Sequence, residues 1–313
     1  HNAQEAPDPD ARTTAVMASG VRMLERLGVW DDVAPISAPL RFLELVDDST
    51  GAPLHQRFDA GEIGQEWFAQ NIPNEALKNS LRQKLASQDH VTFYPENRVT
   101  TVSDRDDHLV IDTTEGRVTT RLLVAADGRG SACRDLLRLP INRSQPRETA
   151  LVFNTDHVES HKGISYEFHG PLGAPTGVNV QTTAQVTTIP LPGNRSAINV
   201  VGQDKAMASL QDLPSETLKQ AVEIATRGKL GAITRAETPK AYPIKPFRAR
   251  RLSTNRAVLV GEAAHALAPI GAQGLNTTLA DIAVLIDLLG APNADDPGRE
   301  SVTNGYHRAR QAD

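Results

Sequence analysis

The chain has 313 residues, 39% hydrophobic and 23% charged, with a formal net charge of −5. That balance excludes a disordered chain, and 33 basic against 38 acidic residues with no basic tract argue against a nucleic-acid partner. One cysteine, Cys133, excludes an internal disulfide and suits a reducing compartment; the longest apolar run, 282–289, is too short to span a bilayer and carries Asp287.

The first ten residues are polar and proline-bearing, unlike a secretory signal, so a cytoplasmic protein is expected. The chain opens without Met, and "GYHRARQAD" stops inside a helical pattern; the expectation is that both ends continue in a longer chain. Val16, Val21, Leu24 and Leu27 are spaced for a helix over 16–27, with Gly28 as its stop. Arg12 stands just before it, either as a solvated charge or as an anion contact. Residues 41–60 read as a hairpin turning at "STGA", and 74–88 as an amphipathic helix built on Leu77, Leu81 and Leu85. Short strands are predicted over 91–94, 98–104, 108–114 and 117–126, then a helix over 134–139 that Pro140 ends. From 149 to about 242 the texture is rich in Thr and Val with Gly-Pro punctuation. This predicts an antiparallel sheet, followed by a helix over 215–226 that Ser215 caps.

Two places invite a ligand. The apolar run "RLLVAADG" ends at Asp127-Gly128, where an acid at the end of a parallel-type strand meets ligands in α/β sheets; Asp-Gly is equally a plain turn. The stretch 257–289 reads as a buried strand, a loop punctuated by Pro269, Gly271 and Gly274, and a helix capped by Asn276. Such a helix start can hold a phosphate or other electron-rich group, or it can be an ordinary βα turn; spacing alone weighs the two evenly. His157 and His161, four apart in strand-like sequence without a third ligand, read as a surface pair, and no metal site is expected. His265 reads as a packing and hydrogen-bonding residue. No side chain presents itself as catalytic, which suits chemistry carried by a cofactor.

Three stretches, "DARTTAVMASGVRMLERLGVW", "LLVAADGRGSACRDLL" and "VLVGEAAHALAPIGAQGLN", occur in an order and spacing that resembles the FAD-dependent aromatic hydroxylases of the para-hydroxybenzoate hydroxylase fold. "NIPNEALKNSLRQKL" and "AYPIKPFRARRL" are similar to the ubiquinone-biosynthesis branch. The resemblance implies an α/β (α+β) fold. A Rossmann-like FAD-binding domain, 1–148 and 246–313, is interrupted by an antiparallel β-sheet substrate domain, 149–245, which the 41–60 hairpin joins. It implies that Glu262 binds the FAD ribitol or ribose region and that Pro269, Gly271, Gln273, Gly274, Leu275 and Asn276 lie along the flavin, Pro269 and Gly271 nearest the reacting ring. It further implies that Arg12 contacts the pyrophosphate, that Asp127 and Gly128 serve FAD and NAD(P)H, and that Asn74 contacts FAD.

The implied activity is a monooxygenase in which NAD(P)H reduces FAD and O₂ yields a flavin hydroperoxide. One oxygen then passes to an aromatic ring, that of a polyprenylated phenol in ubiquinone biosynthesis. A prenyl tail implies transient contact with a membrane surface and with other ubiquinone-biosynthesis proteins. The alternatives are a hydroxylase of a small soluble aromatic and a non-catalytic, FAD-deficient scaffold. Three positions depart from the family: Glu262 replaces the usual Asp, Thr278 stands where Gly is common, and Ala280 where Arg is common. The G-x-G-x-x-G loop that cradles the FAD diphosphate does not occur in these residues, so poor retention of FAD is expected of them alone.

Overall fold

The computed structural model describes residues 10, 12–49, 54–173, 175, 182–269, 271–291 and 295–311. It divides into two compact units, residues 1–89 with 147–244 and residues 90–146 with 245–313. The sequence boundaries differ for residues 1–89, which group with the β-rich segment. The cause is strand pairing: Phe42–Asp47 runs parallel to Ile164–Pro171, from Phe42↔Ile164 to Asp47↔His169. The buried Asn71 also donates to the Pro190 carbonyl at 2.8 Å.

The first unit is built on an eight-stranded sheet, antiparallel apart from that one pairing. Its strands alternate: along Glu148–His157 the side chains of Leu151, Phe153 and Thr155 are buried and those between are half-buried. Alternation of period two puts one face into a core. Helices Asp204–Gln211 and Ser215–Ala225 cover that face with Met207, Leu210, Leu218 and Val222. Each large apolar side chain so buried contributes about 1.5–3 kcal/mol. The 41–60 hairpin, as strands Phe42–Asp47 and Leu54–Asp59, forms one edge of this sheet.

The second unit surrounds the buried strand Ala257–Leu259, which pairs in parallel with Leu123–Ala125. Helix Gln273–Leu289 and helix Glu300–Gln311 pack on it. Val302 and Tyr306, one turn apart, drive the second of these into the core, and the Tyr306 hydroxyl donates to the Leu259 carbonyl at 2.7 Å.

Several elements differ from the sequence expectation. Val16 lies in a strand, Thr13–Met17, and the helix begins only at Ala18, because pairing with Ala69–Pro73 overrides the helical spacing. Residues 91–94 form no strand, and Phe93 and Tyr94 are exposed. The run 117–126 is two strands, Gly116–Thr120 and Leu123–Ala125. Helix Ala132–Leu136 starts earlier than expected because Ser131 caps it, accepting from the Arg134 amide at 2.9 Å. Ser215 is the first residue of its helix, with Pro214 at the cap position. His157 is buried: Nδ1 donates to the Glu159 carbonyl at 2.7 Å and Nε2 accepts from Ser196 Oγ at 3.0 Å. Both ring nitrogens are therefore used, and no cluster among the described residues could hold a metal ion.

Candidate functional site

In the second unit two neighbouring parallel strands end side by side. Leu259 pairs with Ala125, and the Val260 amide donates to the Ala125 carbonyl at 2.9 Å. The chain leaves one strand into Asp127-Gly128 and the other into Gly261-Glu262. Both exits need a left-handed turn, which glycine supplies at φ +81° (Gly128) and +60° (Gly261).

The Asp127 carboxylate is occupied locally. It accepts from Ser131 Oγ at 2.5 Å and from the Cys133 amide at 3.0 Å, fastening the turn to the following helix. Partial burial works against its charge, but these hydrogen bonds outweigh burial and hold the carboxyl below the usual carboxylate range. Burial, with the Asp127 charge beside it, pushes the Cys133 thiol up to about 11, so it is not a nucleophile at neutral pH. Glu262 is half-exposed and reaches Arg129, whose Nε donates to Oε1 at 2.8 Å. Beneath this pair Arg134, 2% exposed, donates to the carbonyls of Arg129 and Ala263 at 3.2 Å, so the two strand-end loops are linked twice.

Helix Gln273–Leu289 is joined to the same loops through Asp281. Its Oδ2 accepts from the Gly261 amide at 3.0 Å and from His265 Nε2 at 2.8 Å, and its Oδ1 from Arg310 Nε at 2.7 Å. His265 thus packs and hydrogen-bonds, as its sequence context suggests. The helix entrance corrects the sequence reading. Gly271 (φ 62°) and Ala272 (φ 54°) turn left-handed and the helix starts at Gln273, so Gly274 and Asn276 lie inside its first turn. Asn276 does not cap: its Nδ2 donates back to the Ala272 carbonyl at 2.8 Å. Ala272 at the N-cap position gives this 17-residue helix no side-chain cap, and Pro269, Gly271, Gln273 and Gly274 are exposed while Leu275 is half-buried. Its positive dipole end therefore faces outward.

Arg12 and Asn74 lie together in the first unit. The Asn74 amide donates to the Arg12 carbonyl at 3.0 Å, and Asn74 Oδ1 accepts from Thr14 Oγ1 at 2.6 Å. The Arg12 guanidinium donates to Asp10 at 2.8 and 2.9 Å and stacks over the Tyr242 ring at 5.0 Å. That contact holds the Asp10 carboxyl at about 2.

The sequence profile of the FAD binding domain matches residues 2–312. The chain belongs to the FAD-binding domain family. Among curated proteins of this kind it is 28% identical over 307 residues to ubiquinone hydroxylase UbiL of Rhodospirillum rubrum, covering 97% of this chain and 68% of that protein. It is 25% identical over 283 residues to the 3-demethoxyubiquinol 3-hydroxylase of Escherichia coli, covering 90% of this chain and 68% of that protein. Ubiquinone hydroxylase UbiM of Neisseria meningitidis is matched at 25% identity over 307 residues, with 96% of this chain and 64% of that protein covered. The chain thus spans about two thirds of the length of these relatives. Among solved structures, PqsL of Pseudomonas aeruginosa superposes with a TM-score of 0.79 at 20% identity, covering 98% of this chain and 84% of that one, which fixes the fold as that of the FAD-dependent hydroxylases. The family assignment makes the chain a member of the FAD-dependent monooxygenases.

The residues present fit FAD. The Glu262 carboxylate is half-exposed, the start of the Gln273–Leu289 helix has no side-chain cap from Ala272, and a Cβ added at Gly128, Gly130 or Gly274 would meet nothing within 4 Å, so the ground before these glycines is open. Three residues important here were not read from sequence: Arg129, Arg134 and Asp281. Arg129 and Arg134 were visible only as neighbours of Asp127-Gly128. Asp281 carried a signal, an acid on the apolar side of a helix, between Leu279 and Ile282.

Proposed function

We propose that this member of the FAD-binding domain family hydroxylates an aromatic ring, and that the ring is a polyprenylated phenol of ubiquinone biosynthesis. The observation that carries this is the Glu262 carboxylate, half-exposed at a strand end and tied through Gly261 and Asp281 to the helix whose uncapped start holds Gly271, Gln273 and Gly274. FAD, when bound, supplies electron transfer from NAD(P)H and activation of O₂. Glu262 accepts hydrogen bonds from hydroxyls of the ribose or ribitol region. The amides at the start of the Gln273–Leu289 helix stabilise negative charge on the flavin ring. Arg12 serves the pyrophosphate, Asn74 assists it, and Asp127 with Gly128 shapes the loop that FAD and NAD(P)H meet. The names of the ubiquinone hydroxylases among its relatives support the substrate class. No helix among the described residues is long and apolar enough to cross a membrane. A prenylated substrate would be met by transient contact at the membrane surface.

The substrate test is phenol-dependent NAD(P)H oxidation with the FAD-loaded protein. A polyprenyl phenol should accelerate it well beyond a simple phenol. Equal response to both would favour a small soluble aromatic, and response to neither would favour a non-catalytic scaffold. The cofactor test is Glu262→Ala. Removing a charged acceptor costs about 1.5–3 kcal/mol, so FAD affinity should fall roughly 10- to 100-fold by fluorescence titration. Unchanged affinity would remove Glu262 from the FAD site.

A further inference from the structure

Strand Leu54–Asp59 is the outer strand of the large sheet, and among the described residues nothing pairs with its far side. Exposed sheet edges are normally guarded by Pro, Lys, a bulge or a covering segment. This strand reads LHQRFD, without Pro or Lys, and pairs with Phe42–Asp47 through six residues without a bulge. Its arginine is held against its own sheet: Arg57 Nη1 donates to Glu44 Oε1 at 3.2 Å, and the guanidinium stacks over the Phe42 ring at 4.1 Å. Two large apolar side chains stay in the open, Leu54 at 55% and Phe58 at 42% exposure.

The register of the hairpin decides which backbone groups face outward. The Ala60 amide donates to the Arg41 carbonyl at 3.1 Å, so the hydrogen-bonded pairs fall on Leu43↔Phe58, Leu45↔Gln56 and Asp47↔Leu54. The N–H and C=O groups of His55, Arg57 and Asp59 therefore point away from the sheet. The Arg57 carbonyl accepts from the side chain of its neighbour, Gln56 Nε2, at 3.2 Å, a contact that a partner amide would replace. Leu54, Gln56 and Phe58 share one face of the strand. An antiparallel copy centred on Gln56 sets Leu54 opposite Phe58 of the second copy at both ends. Its hydrogen-bonded pairs are His55 with Arg57, the residues whose backbone groups point outward. The strand is thus complementary to itself in backbone parity and in apolar side chains.

We infer that this edge joins a second copy of the same chain, antiparallel about a twofold axis at Gln56, so that two large sheets become one continuous sheet. Main-chain hydrogen bonds supply the attraction, and the Leu54–Phe58 contacts set the register. Six residues a side are fewer than the roughly 20–30 of a standard interface, so the association is weak, with a dissociation constant of about 1–100 µM.

Sedimentation velocity on the purified full chain over about 1–500 µM should show monomer passing to dimer as concentration rises. Phe58→Lys sets a charge opposite Leu54 of the second copy and should raise the dissociation constant about tenfold or more. His55→Pro removes one outward amide, leaves the bonds to Phe42–Asp47 in place, and should act in the same direction. Cysteine placement reads the register. Opposed residues in a non-hydrogen-bonded antiparallel pair lie about 4.5 Å apart between Cα atoms, within disulfide reach. Gln56→Cys should therefore link two copies on oxidation, seen on a non-reducing gel, whereas Leu54→Cys alone should not. The wild type, with its buried Cys133, is the blank. A chain that stays monomeric throughout the range overturns the inference, as does a dimer that both Phe58→Lys and His55→Pro leave intact. Gln56→Cys that does not link, or Leu54→Cys that links as readily, overturns the twofold pairing. A monomer that sediments faster only when another protein is added gives the edge to that partner and overturns the second copy.

Discussion

Asp281→Asn is expected to lower the thermal midpoint by roughly 6–20 °C. The carboxylate is 1% exposed and holds three donors from three segments: the Gly261 amide, His265 and the nearly buried Arg310. Asn keeps the shape but not the charge, and it presents an NH₂ group where an acceptor is needed. Breaking one side of a buried ion pair costs about 3–5 kcal/mol, because the remaining charge stays buried without compensation. In a chain of this size each kcal/mol corresponds to about 2–4 °C. A melt followed by circular dichroism checks this, and a shift of less than about 2 °C would show that Arg310 finds another acceptor at little cost. The pH dependence has a definite sign. Burial raises the Asp281 carboxyl, but the hydrogen bonds from His265 and Arg310 outweigh it and leave it below its unfolded value. A depressed carboxyl stabilises the folded state above the unfolded value, about 3.9, and that stability is lost as the pH falls below it. The wild type should therefore lose stability in acid more steeply than Asp281→Asn.

Gly261→Ala should be nearly as damaging through a different cause. The residue sits at φ +60°, where an L side chain costs about 1–2 kcal/mol. The added Cβ would also lie 2.9 Å from Thr278 Cγ2 and 3.0 Å from its Oγ1, and overpacking of this kind costs about 1–3 kcal/mol. The two add to roughly 2–5 kcal/mol. The causes separate in a double substitution: Gly261→Ala with Thr278→Ala should recover the steric part and keep the backbone part. If the double variant is no more stable than the single one, the clash with Thr278 is not the cause.

How much of this was legible follows from the range of each interaction. The strand before Gly261 and the strand before Asp127-Gly128 are local patterns, and the structure has both, ending at Leu259 and Ala125, one residue short of the run read in each case. Local reading failed where a partner distant in sequence decided the outcome. Val16 has helical spacing but pairs as a strand, and residues 1–89 follow the register of Phe42–Asp47 on Ile164–Pro171. The helix entrance misled for another reason. Asn276 is a favoured cap residue, yet the left-handed Gly271–Ala272 pair starts the helix four residues earlier, with Ala272 at the cap position. Within the site, Glu262 was readable as an acid in a motif, but its contact with Arg129 spans 133 positions and leaves no local trace.

The interleaved course of the chain has a consequence for its synthesis. Asn71, fully buried, finds its acceptor on Pro190, 119 residues further on. At about 5–20 residues per second, a ribosome needs roughly ten seconds to deliver that partner. For most of that interval the Phe42–Asp47 strand has one side without the neighbour it will pair with, since Ile164–Pro171 is also still to come. Contacts this distant in sequence are slow to close, and an unpaired strand edge is the feature that joins chains to one another. Nascent chains of this protein should therefore be most prone to aggregation after the first hairpin emerges and before the central strands do, a window in which chaperone binding matters most.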